Sequence, residues 1–134
     1  MHELSIALSL VDCACAELPR LGKRARIAAV HVRLGPLAGI VKEALRFSFE
    51  VAAAGSAIEG ARIEIEDVDL RVSCPACGRE RRLENPQALR CPACGTLTPE
   101  VITGRELELA ALEVIDDADD AAYRRGSPEH PQEE

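Results

Sequence analysis

Two five-residue stretches, Cys74-Pro-Ala-Cys77-Gly and Cys91-Pro-Ala-Cys94-Gly, constrain this chain more than any other feature. Thirteen residues lie between Cys77 and Cys91. A Cys-x-x-Cys turn puts two sulfurs on one side of a tight loop. The glycine after the second cysteine permits the left-handed or close-backbone geometry that lets amides point at sulfur. Two such knuckles facing each other make a tetrahedral cage of four thiolates, which zinc fits without geometric preference. Iron, as in rubredoxin, is the rival ion, because its knuckles look the same.

The stretch between the knuckles, "RERRLENPQALR", is polar and basic. It offers almost no core, so a metal has to hold the module together. Its span runs from about Ser73 to Thr98. His2, His31 and His130 all lie outside it, leaving only cysteine ligands locally. Four thiolates leave no open position, so the ion is expected to be structural and not catalytic. Matched knuckles argue against a redox pair or disulfides, as does the lack of a secretion signal. The other two cysteines, Cys13 and Cys15, stand two apart on an expected helix and point about 200° apart. They read as buried free thiols.

Around the module the hydrophobic pattern alternates between helix and strand. Leu4, Leu8, Val11, Cys15 and Leu18 follow helical spacing, with a more polar stripe at Ser5, Ser9, Asp12 and Ala16, and Pro19 as the stop. "RIAAVHVRL" alternates as a strand, with Ala28, Val30, Val32 and Leu34 on one side and Ile27, Ala29, His31 and Arg33 on the other. A turn-rich "GPLAG" follows. Val41 to Ala54 reads as a second helix, with Val41, Leu45, Phe49 and Ala52 on one face and Gly55 as C-terminal cap. "ARIEIEDV" is a strand with Ile63 and Ile65 inward. After the module, "RELELAALEVI" is a strand whose phase slips near Ala110-Ala111, as at a bulge. His31 falls on a strand and is expected to be structural.

The fold class is therefore α+β: a small three-stranded sheet with two helices, plus an inserted four-cysteine zinc-ribbon module. The domains run 1–68 with 103–115, then 69–102 for the module, then an acidic tail at 116–134. That tail holds seven acids against two arginines, with Pro128 and Pro131 and no apolar period, and is expected to be disordered.

The whole chain of 134 residues carries a formal charge of −7, most of it in the tail, which argues against general affinity for phosphate backbones or anionic lipid. No run is long and apolar enough to span a bilayer. The N-terminus has no basic region and carries Glu3 and Asp12 early, unlike a signal peptide. A cytoplasmic protein is expected. No constellation for hydrolytic or nucleophilic catalysis stands out, so no enzyme is expected.

The chain opens Met1-His2-Glu3. The α-amine, the backbone nitrogen of His2 and its imidazole can close fused chelate rings on one ion. Glu3 can add a fourth donor through its amide or its carboxylate. Such a set suits square-planar Ni(II) or Cu(II). A plainer reading also stands, with Glu3 favouring a positive helix N-terminus and His2 an idle surface side chain.

Taken together, "MHELSIA", "VHVRLGPLAGIVKEALRFSFEVAAAGSAIEGARIEIE", the paired "CPACG" knuckles and "GRELELAALEVI" resemble, in order and spacing, the hydrogenase maturation nickel metallochaperone family HypA/HybF. The resemblance covers about Met1 to Ile115. It implies a nickel-binding α/β domain of two helices on a three-stranded sheet, with an extended zinc domain. It implies nickel, as cargo, on Met1, His2 and Glu3, and structural zinc on Cys74, Cys77, Cys91 and Cys94. It further implies delivery of nickel to the precursor of the [NiFe] hydrogenase large subunit with a partner GTPase, HypB, and in some relatives a benefit to urease. A monomer and a homodimer both fit. Lys42 departs from the pattern, since many relatives have proline there. Some relatives carry histidines beside their zinc cysteines and this chain does not, so acid-driven exchange of zinc ligands is not carried over.

Two other functions remain. A zinc-ribbon module that binds nucleic acid or protein, without nickel, would use Arg79, Arg81, Arg82 and Arg90. The acidity and the lack of stacking aromatics in the module weigh against it. A rubredoxin-like electron carrier would hold iron in the same cage.

Overall fold

The computed structural model describes residues 2–98 and 100–116. The acidic tail beyond Asp116, and Met1, lie outside the described residues.

Helix α1 spans Glu3–Glu17 and runs into a 3₁₀ turn at Leu18–Arg20, where Pro19 ends the α-helical ladder. The long strand β1, Ala25–Leu34, follows. A second 3₁₀ turn, Pro36–Ala38, leads to helix α2, Lys42–Ala53. Strand β2 is Arg62–Asp67. Strands β3 (Leu70–Cys74), β4 (Arg79–Leu83) and β5 (Glu100–Thr103) come next, and β6 (Leu107–Asp116) ends the described chain.

The strands form two three-stranded sheets, ordered β2-β1-β6 and β4-β3-β5. In the first, β1 is central. It pairs in parallel with β2, reached through the α2 crossover, and antiparallel with β6. The second sheet is inserted in sequence between β2 and β6. Two helices with small sheets make the fold α+β, as expected.

The register builds the main core row by row. Val30 stands between Ile63 and Leu112, and Val32 between Ile65 and Leu109. Leu45, Phe49 and Ala53 of α2 close over this face together with Ala7, Leu10, Val11 and Ala14 of α1. The opposite face is charged: Arg62 reaches Glu64 (2.6 Å) and Glu113 (2.8 Å), and Arg33 reaches Glu108 (3.1 Å).

Helix α1 keeps Val11, Cys15 and Leu18 of the expected set against the core but turns Leu4 and Leu8 outward and brings in Ala7, Leu10 and Ala14. Leu4 is 47% and Leu8 46% exposed, whereas Ala7 and Ala14 are fully buried. Alanines at the contact let the helix backbone approach the layer beneath it, and larger side chains are then displaced to the flank. In β1 the expected inward set of Ala28, Val30, Val32 and Leu34 is corrected to Ile27, Val30, Val32 and Leu34. Ala28 is the extra residue of a bulge against β6, and this moves Ile27 to the core side. A second bulge, at Ala110 of β6, lies where the phase slip placed it.

Two features join the sheets. The amide of Gly35 donates to the Glu106 carbonyl (2.8 Å), and the Leu37 amide to the Gly104 carbonyl (2.7 Å). Leu37 thereby packs on the small second core of Leu70, Val72 and Leu83. Gly35 and Gly104 touch so closely that a β-carbon on Gly35 would lie 2.2 Å from the Gly104 backbone. Lys42, the departure from the family pattern, starts α2 and pairs with Asp67 at the end of β2 (2.9 Å).

Candidate metal centre

The two knuckles are built alike. Each second-cysteine glycine has a left-handed backbone (Gly78 φ 66°, Gly95 φ 76°). Each donates its amide to the carbonyl of the first cysteine at 2.8 Å, Gly78 to Cys74 and Gly95 to Cys91. A residue with a β-carbon would strain that turn. The first knuckle is carried by the hairpin β3–β4, and the second is closed by the bridge between Arg90 and Leu97.

These turns bring the four sulfurs within 4.8 Å of one another. Cys74 to Cys94 is 3.6 Å, Cys77 to Cys94 3.6 Å and Cys77 to Cys91 3.8 Å. A tetrahedral ion with bonds of about 2.3 Å to sulfur sets its ligands about 3.8 Å apart. A disulfide needs about 2.05 Å. The donor set therefore fits one four-coordinate ion such as zinc, and tetrahedral iron fits the same spacing. Cys74 and Cys91 are buried, and Cys77 and Cys94 sit at the surface side.

The sulfurs do not ionise together. The Cys77 amide draws Cys74 down, but burial and the neighbouring Cys94 and Cys91 push it up to about 11. Burial opposes ionisation of Cys91, yet the amides of Ala93 and Cys94 and the adjoining cysteines bring it down to about 6. The Thr96 hydroxyl and amide lower Cys94.

Of the other expected ligands, His2 is exposed and occupies the N-cap position of α1. The carboxylate of Glu3 is engaged, for its Oε2 accepts the Val41 amide at 3.1 Å. Met1 lies outside the described residues. Among the described residues, the four cysteines are the one cluster of three or more metal-ligating groups. Cys13 is exposed and Cys15 half-buried, which corrects the expectation that both are buried; neither joins the cage. Cys13 faces β6 across a groove lined by Ile6, Leu10, Leu107 and Leu109, and the alanine-based rotation of α1 accounts for its exposure.

The family model described as "HypA: Hydrogenase/urease nickel incorporation, metallochaperone, hypA" matches residues 1–114. The chain belongs to the HypA family. It is 50% identical over 121 residues to a protein named hydrogenase maturation factor HypA from Roseiflexus sp. (strain RS-1), covering 90% of this chain and 98% of that one. A protein of the same name from Chloroflexus aggregans is 50% identical over 113 residues, covering 84% and 98%. The fold matches the solution structure of the Ni metallochaperone HypA from Helicobacter pylori with a TM-score of 0.60 at 24% identity, covering 87% of this chain and 99% of that one. HypA proteins are metallochaperones of nickel incorporation, not enzymes.

Two of the four arginines that suggested a nucleic-acid surface are committed in this HypA-family chain. Arg82 pairs with Glu84 (2.8 Å) and Asp69 (3.3 Å). Arg90 donates to the Gly95 carbonyl at 3.1 Å and so braces the second knuckle. No helix among the described residues is long and apolar enough to cross a membrane. His31 faces Glu113 on the charged side of the first sheet, 3.5 Å away, with Arg62 on the same carboxylate.

Proposed function

We propose that this chain carries Ni(II) on its N-terminus and delivers it for maturation of [NiFe] hydrogenase, with zinc held by Cys74, Cys77, Cys91 and Cys94. Membership of the nickel-incorporation family over residues 1–114 carries this reading. The nickel ligands are the Met1 amine, the backbone nitrogen and imidazole of His2, and Glu3. Since the Glu3 carboxylate already holds Val41, the Glu3 backbone nitrogen is the donor open to the ion. Hard nitrogens in a plane suit Ni(II), and the cage of soft thiolates suits zinc, so the two ions sort themselves between the sites.

Transfer needs no chemical turnover. A site at the start of a helix releases its ligands one at a time to an acceptor. Neutral imidazole is the binding form, so affinity falls as pH drops through the histidine range. Residues 1–68 with 103–115 form the nickel-binding domain, and 69–102 a zinc-braced recognition arm. The partners are the GTPase HypB and the hydrogenase large-subunit precursor, and urease maturation proteins are a further acceptor. The cytoplasm is where these partners meet.

Complementation tests the proposal. In a host lacking its own copy, this chain restores nickel-dependent hydrogenase activity and the His2→Ala variant does not, while both accumulate to the same level. Equal restoration by the variant contradicts the site.

A further inference from the structure

Strand β6 has the longest open edge among the described residues. It pairs with β1 alone, so the backbone N–H and C=O groups of alternate residues face outward without a strand partner along its ten residues. The other outer strands, β2, β4 and β5, have six, five and four residues. β6 carries neither proline nor lysine, the residues that commonly blunt such an edge. Its burial is also incomplete. Leu107, Leu109 and Leu112 pack on the main core, yet no residue of β6 is fully buried, whereas five of the ten in β1 are. Helix α2 packs against β2, which leaves α1 above β6. Between α1 and β6 runs an open groove of about 360 Å³, lined by Ile6, Leu10 and Cys13 above and by Leu107 and Leu109 below.

We propose that the β6 edge and this groove together receive one extended strand of a partner protein, apolar at the positions facing α1 and basic at those between. A row of unpaired backbone groups is matched only by another extended backbone, and a groove beside the edge selects every second side chain. The added strand completes the burial of Leu107 and Leu109. Charge selects the remaining positions. The face of β6 turned from α1 carries Glu108 and Glu113, and no base stands on the strand itself. Arg33 and Arg62 reach these acids from the inner strands, so their outer side is open to a basic neighbour. The same acids disfavour a second copy. Pairing β6 with itself across a two-fold axis opposes like charges and joins two chains of charge −7.

Titration of the zinc-loaded, isotope-labelled full chain tests this. The ligand is a synthetic peptide of alternating lysine and valine with blocked ends, about seven residues long. Amide shifts and hydrogen exchange are read residue by residue. The β6 amides shift and gain protection, with smaller shifts at Ile6, Leu10 and Cys13. Two analogues are N-methylated, one at its lysines and one at its valines. The analogue whose blocked amides face β6 loses affinity about tenfold, and the other does not. Cys13→Trp fills the groove with a neutral side chain and weakens binding about as much, whereas Leu8→Trp on the other flank of α1 leaves it unchanged. A peptide of alternating glutamate and valine binds about tenfold more weakly. Shifts centred away from β6, full affinity in both methylated analogues, or full affinity in the glutamate peptide overturn the inference. A native chain that is dimeric until Cys13→Trp separates it overturns the partner strand in favour of a second copy. Should that variant not fold, the analogues decide on the native chain alone.

Discussion

The carboxylate of Glu3 accepts the backbone amide of Val41, joining the first turn of α1 to the N-cap of α2 across 38 residues of sequence. A glutamate at the third position of a helix often makes this bond to its own N-cap. In α2 that position is Ala44, and Glu3 supplies the bond from outside. The start of the chain is thus fixed against the loop Gly35–Val41, whose Leu37 packs on the second sheet.

That bond makes stability depend on pH in a stated direction. The Val41 amide holds the Glu3 carboxyl below its ordinary value of 4.5. Its contribution is complete above that value and is lost as pH falls through the folded one. Urea midpoints measured from neutral to acid pH therefore diverge between the native chain and Glu3→Gln at neutral pH and converge in acid. Parallel curves at every pH would show that the carboxylate is not held.

Removing the metal or one of its ligands melts the second sheet only. Binding of structural zinc is worth about 10–16 kcal/mol in small modules, and Leu70, Val72 and Leu83 are too small a core to replace it. Cys74→Ala, or a strong chelator, should expose the amides of β3, β4 and β5 to hydrogen exchange while those of β1 stay protected. Loss of protection in β1 as well would mean that the two sheets fold as one unit.

The joint between the sheets tolerates no side chain at Gly35. A β-carbon there meets the Gly104 backbone at 2.2 Å, and that contact has no flexible neighbour to give way. Gly35→Ala is expected to cost upward of about 2 kcal/mol by chemical denaturation. A variant of native stability would show that the joint can open.

Truncation separates the two faces of α1 and α2. Phe49 is fully buried, and Phe49→Ala should cost about 3–5 kcal/mol. Leu8→Ser on the exposed flank should stay within about 0.5 kcal/mol. A large loss at Leu8 would restore the leucine face to the core.

What the sequence reveals and what it hides divide along physical lines. The cysteine cage is legible because spacing and residue type alone fix its chemistry. The bulge at Ala110 is legible because leucines change parity across it. The bulge at Ala28 leaves no such trace, since Ala28 and Ala29 fit either face. Helix α1 misleads for a similar reason. Its buried face is drawn by small Ala7 and Ala14, which hydrophobic periodicity weighs less than Leu4 and Leu8. The Glu3–Val41 bond depends on tertiary packing.

The central claim is tested most directly by metal stoichiometry on protein with its native, untagged N-terminus. Zinc and iron are measured by elemental analysis, and Ni(II) is titrated into the native chain and His2→Ala at about pH 7.5 and about pH 5.5. The account predicts one zinc and no iron per chain. It also predicts one nickel bound near neutral pH, weakened in acid, and lost in the variant with the zinc retained. Nickel binding that is indifferent to His2 and to pH, or a cage filled with iron, would contradict it.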